Sequence, residues 1–169
     1  LWEGRSYQQL GKLSEALACF RELMDLPPAK ETRLMRAKST RHALECLTEA
    51  SQAQYAEAIE RGQRWEKEGG DKASDSDSLA IRYLTAVALQ GQSSALPAQD
   101  PDRKKLAGAA RETVESVVKQ PGEYQKPAKL LLVALSGNRD GEDSKKTSDT
   151  DDSKKSKGDA KRTPDAKET

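Results

Sequence analysis

Apolar side chains recur every three or four positions along most of the first 136 residues, and glycine, proline and polar runs interrupt them at intervals. That is the pattern of amphipathic helices separated by turns. It predicts seven helices. The first runs from Leu1 to about Leu10 and stops at Gly11. The second follows Ser14, with Glu15 and Ala16 in its first turn, and reaches about Asp25 before "LPP". The third, 29–50, is long and carries Leu34, Ala37, Leu44 and Leu47 on its apolar side. The fourth, 53–68, sets Tyr55, Ala58, Ile59, Gly62 and Trp65 at helical spacing and ends at Gly69 and Gly70, ahead of the polar loop "DKASDSDS". The fifth, "SLAIRYLTAVALQ", covers Ser78 to Gln90 and is closed by Gly91. The sixth, 100–119, opens on Asp100, whose carboxylate can accept backbone N–H bonds, and on Pro101, where no amide partner is needed. Gln120 precedes Pro121 and is pushed out of α geometry, which ends it. The seventh, 126–136, is short, very apolar and closed by Gly137.

After Leu135 the character of the chain changes. Residues 137–169 contain nine Lys/Arg and nine Asp/Glu but no aromatic residue and no Leu, Ile, Val or Met. Such a polyampholyte cannot bury enough apolar surface to offset the entropy of ordering its backbone, so this tail is expected to be disordered. The predicted folded domain is therefore 1–136. Two Ile and five Val in the whole chain, against abundant Ala, Leu, Glu, Lys and Gln, set the fold class as all-α.

Charge and hydropathy narrow the partners. The net charge is +1, so no global field draws the chain toward nucleic acid. The longest unbroken apolar run, "LLLVAL" at 130–135, is far short of the roughly 20 residues a bilayer span needs, and membrane insertion is not expected. The compartment stays open. The third helix carries Lys30, Arg33, Arg36, Lys38 and Arg41 against Glu31 and Glu45. No aromatics interleave to stack bases, so this run reads as a solvated face before it reads as a phosphate-binding one.

Catalytic chemistry finds no constellation here. There is no Gly-rich phosphate loop, no nucleophile elbow and no His/Cys/Asp cluster, so the chain is read as a non-enzyme without cofactor or metal. Cys19 and Cys46 lie 27 positions apart and read as small core-side residues. His42 has no evident carboxylate or Cys partner, and nothing in the mixed-charge helices suggests a shifted carboxylate pKa.

The opening stretch holds the one specific motif. Gly4, Tyr7, Gly11, Leu13, Ala16, Phe20, Leu23 and Pro28 alternate small and bulky residues as two closely packed antiparallel helices require. Gly4 and Ala16 supply small surfaces, Tyr7, Leu13, Phe20 and Leu23 fill around them, Gly11 permits the turn and Pro28 marks the exit. In this register the stretch resembles a tetratricopeptide repeat, a 34-residue helical hairpin. Leu13 stands for the usual aromatic and Leu23 for the usual small residue. Downstream, Tyr55, Ala58 and Trp65 repeat the second-helix pattern 42 residues after Ala16, and the later hairpins keep only the architecture.

The resemblance implies stacked antiparallel hairpins forming an α-solenoid. It places the family's repeat start four residues before Leu1, so that further repeats are expected upstream. It also implies a concave groove, lined by the first helix of each repeat, that binds a peptide or partner helix. On this register the groove positions are Leu1, Arg5, Gln8 and Gln9. The Lys/Asn arrangement that clamps a C-terminal carboxylate in some members is not evident. The function expected is a protein-binding scaffold. The alternatives are a structural spacer within a larger protein and, more weakly, a nucleic-acid-associated protein using helix 30–45.

Overall fold

The computed structural model describes residues 1–69 and 75–137 of the chain. The tail read as disordered, from residue 138 on, lies outside the described residues, as do residues 70–74 of the polar loop. Among the described residues there are seven helices and no strand: α1 Trp2–Gln9, α2 Leu13–Met24, α3 Lys30–Thr48, α4 Tyr55–Lys67, α5 Ser76–Ala95, α6 Pro101–Val118 and α7 Gln125–Gly137.

Local chemistry sets most of these ends. Gly11 takes φ +71°, a left-handed conformation that reverses the chain between α1 and α2. The Thr32 hydroxyl accepts from the Ala29 N–H (3.2 Å) and donates to the Pro27 carbonyl (2.6 Å), which anchors the start of α3. Asp75 accepts from the Ser78 N–H and Asp100 from the Asp102 N–H, both at 2.9 Å, capping α5 and α6. At α5 the sequence reading needs correction. The helix does not stop at Gly91 but continues to Ala95, because Gly91 is a packing residue. A Cβ there would lie 2.5 Å from Cζ of Tyr55.

Each helix packs against the next, and α3 also packs directly on α5. One apolar cluster runs through these contacts, with Phe20, Leu44, Leu47, Ile81, Val114 and Val117 fully buried. The α1–α2 hairpin closes as its small residues suggest, with one change of partner. Gly4 approaches Phe20, whose Cε1 would lie 2.6 Å from a Cβ at that position. Ala16 is fully buried, whereas Ala18, two positions along, is exposed. Ala16→Leu should therefore cost about 1–3 kcal/mol through overpacking, and Ala18→Leu much less. Equal melting temperatures for the two variants would show that α2 presents a different face to α1.

Candidate functional site

The four predicted groove positions lie within a 100° arc of the α1 axis, since each residue turns the helix by 100°. They do not share one environment. Leu1 is half-buried against the core, and its carbonyl accepts from the Arg5 N–H at 3.1 Å. Arg5 is exposed, with its guanidinium 5.8 Å from the centroid of the Trp2 ring. Gln9 is also exposed. Gln8 is turned toward α3, where its side-chain amide donates to Oε2 of Glu45 at 3.2 Å.

Glu45 is the centre of a polar strip that joins α1, α3 and α5. Besides Gln8 it accepts from Nε of Arg41 (3.0 Å) and contacts Nδ1 of His42 (2.9 Å). Burial by itself would raise this carboxyl, but the hydrogen bonds from His42, Gln8 and Arg41 outweigh it and hold the pKa at about 2. An ionised carboxylate only accepts, so Nδ1 carries the proton. Arg41 also donates to Asp77 at 3.3 Å, at the start of α5, and lies 5.5 Å from the Tyr124 ring. Tyr124 in turn packs on Tyr83 of α5, with ring centroids 5.5 Å apart. His42 stacks on Phe20 with its ring centroid 5.5 Å away.

Two expectations are corrected by this strip. His42 does have a carboxylate partner, three positions along its own helix, and Glu45 is strongly shifted. The spacing i,i+3 was legible in the sequence; the contributions of Gln8 and Asp77, 37 and 36 positions from their partners, were not.

The basic run on α3 also divides. Arg41 belongs to the strip, and Arg36 is buried, donating from Nε to the Met24 carbonyl at 3.1 Å and pairing with Glu68. Burial would raise the Glu68 carboxyl, but Arg36 and then Arg64 outweigh it and hold it below its ordinary value. Lys30 and Arg33 remain exposed at the start of the helix, beside a cleft of about 240 Å³ that Trp65 and Glu68 close from α4. The run is thus neither one solvated face nor one comb of cations.

Nucleophilic and metal chemistry find little to build on. Burial pushes the Cys46 thiol up to about 11 and raises Cys19 as well, so neither is a thiolate near neutral pH. Among the described residues no group of three His, Cys, Asp or Glu is placed to hold a metal ion. No described helix is long and apolar enough to cross a membrane. No family model, curated protein or solved structure matches the chain.

Proposed function

We propose that residues 1–137 form a helical-repeat scaffold of tetratricopeptide type that binds another protein, taking a peptide or partner helix along the face of its odd-numbered helices. The observation that carries the reading is the asymmetry of packing. α3 packs on α5 as well as on its sequence neighbours, whereas α2 and α4 meet chiefly through the Arg21–Glu57 ion pair (2.9 Å) and α4 and α6 do not pack on one another to a comparable extent. Side-chain ties from Gln8 to Glu45 and from Arg41 to Asp77 link α1 to α3 and α3 to α5, which supports the reading. Stacked hairpins would set α1, α3 and α5 in one layer, and in such a stack that layer is the continuous surface offered to partners. One observation favours the spacer alternative: Gln8 is taken up by an internal tie and is not free for a ligand.

Selection of linear peptides from a display library on the full chain separates the two. Peptides should be recovered whose affinity falls at least fivefold in the Arg5→Ala/Gln9→Ala double variant, at unchanged melting temperature. Recovery of none, or of peptides indifferent to those two positions, would leave the spacer reading in possession.

A further inference from the structure

Two depressions meet where the first turns of α3 face the last turn of α4, and Arg36, Trp65 and Glu68 wall both. Their origin lies in the α3 sequence. Positions 33, 37, 40, 44 and 47 follow the alternating four- and three-residue spacing of one helix stripe. Further along, that stripe buries Ala37, Thr40, Leu44 and Leu47; at its start it carries Arg33. A surface that would otherwise continue the core is cationic instead.

The charge there is unbalanced. Lys30, Arg33, Arg36, Arg61 and Arg64 line the two depressions, against Asp25 and Glu68. Three of the cations are engaged: Arg36 with Glu68, Arg64 with Glu68 (3.2 Å) and Asp25 (3.9 Å), and Arg61 with Glu57 (2.7 Å). Among the described residues, no carboxylate lies within ion-pair distance of Lys30 or Arg33. Arg33 lies 5.8 Å from the centroid of the Trp65 ring, and Trp65 itself is 5% exposed, with an indole N–H that has no acceptor among the described residues.

We propose that this double cleft is a docking site for an acidic peptide segment of a protein partner, whose Asp or Glu carboxylates pair with Lys30 and Arg33. The cations that are already paired hold the walls in place, and the two that are not supply the attraction. A nucleic acid is the poorer fit, because the one ring in the wall is covered and offers no face on which a base could stack. The inference rests on the scaffold reading only in taking a peptide as ligand; it uses none of the groove positions on α1.

The test uses the full chain in a Trp2→Phe background. Trp65 is then the sole tryptophan, since the chain has two and Trp2 is 80% exposed. A fluorescein-labelled octaglutamate peptide should bind saturably by anisotropy and shift the Trp65 emission. Arg33→Glu should weaken it at least tenfold. Lys30→Glu, which keeps Arg33 over the ring, should weaken it at least fivefold. Lys129→Glu, the same change of net charge on the exposed side of α7, should stay within twofold. Equal losses in all three variants, no saturable binding, or tighter binding of a thymidine oligonucleotide than of the peptide would overturn the assignment. Arg5→Ala/Gln9→Ala should leave octaglutamate binding unchanged, so the cleft and the groove fail independently.

Discussion

Gly62→Leu is expected to be among the most damaging single substitutions in the folded region, costing more than about 3 kcal/mol. Gly62 lies in α4 facing α5, and a Cβ at this position would sit 1.9 Å from Oγ1 of Thr85 and 3.0 Å from both its Cβ and Cγ2. Rotating Thr85 gives little relief, because χ1 rotation leaves its Cβ 3.0 Å away and a β-branched side chain has few rotamers open to it in a helix. Its hydroxyl is also committed, donating to the Ile81 carbonyl at 2.8 Å in a fully packed site. The two helices must separate instead. Gly62→Ala gains roughly 1 kcal/mol of helix propensity and should still be destabilising on balance. Adding Thr85→Ala removes the nearest atoms and should recover part of that loss. Gly108→Ala is the matched control: that glycine is exposed in α6 with nothing within 4 Å of its Cβ position. It should stabilise by about 1 kcal/mol. Denaturant midpoints for the four variants check the argument, and a neutral Gly62→Ala would show that α4 and α5 are not in close contact there.

The same glycines show what could and could not be read from the sequence. Helical period puts Gly62 on the apolar side of α4, but the reason for a glycine there is Thr85, 23 positions away, and period alone cannot supply that. An isolated glycine near a helix end signals a stop, yet Gly91 lies inside α5, and its reason is the ring of Tyr55 on α4. Where the cause is local the reading holds. Asp100 and Pro101 open α6 and Gly11 turns the chain, since a cap or a left-handed residue is decided within a few positions. The candidate sites divide in the same way. Arg5 and Gln9, set by the repeat register, are exposed on α1, while Leu1 and Gln8 from the same register are partly covered. The Glu45 strip and the Arg36–Glu68 pair each needed residues from other helices, and a run of like charge on one helix gave no hint of which members would be buried.

The acid limb of stability should be governed in good part by Glu45. In the unfolded chain its carboxyl titrates at its ordinary value of 4.5, and in the folded chain at about 2. Above about pH 5 both states are ionised, and the full stabilisation from His42, Gln8 and Arg41 is present. As pH falls from there toward 2, the unfolded state takes the proton first, so the contribution drains away and is gone below the folded value. That gap is worth about 3 kcal/mol, a large share of the stability of a domain this size. The carboxyl side chain is 28% exposed, so screening by salt trims the figure without changing its sign. Glu45→Gln keeps an acceptor for Gln8 but removes the charge that Arg41 and His42 face. It should lower the melting temperature at pH 6 and flatten the dependence between pH 5 and 2.5. A residual slope should persist, because Glu57 and Glu68 are also held below their ordinary values, burial raising each and the facing arginines outweighing it. The wild-type and Glu45→Gln curves should converge toward pH 2. Parallel curves across the whole range would mean that Glu45 is not the junction of α1 and α3, and that Gln8 is available to a ligand after all.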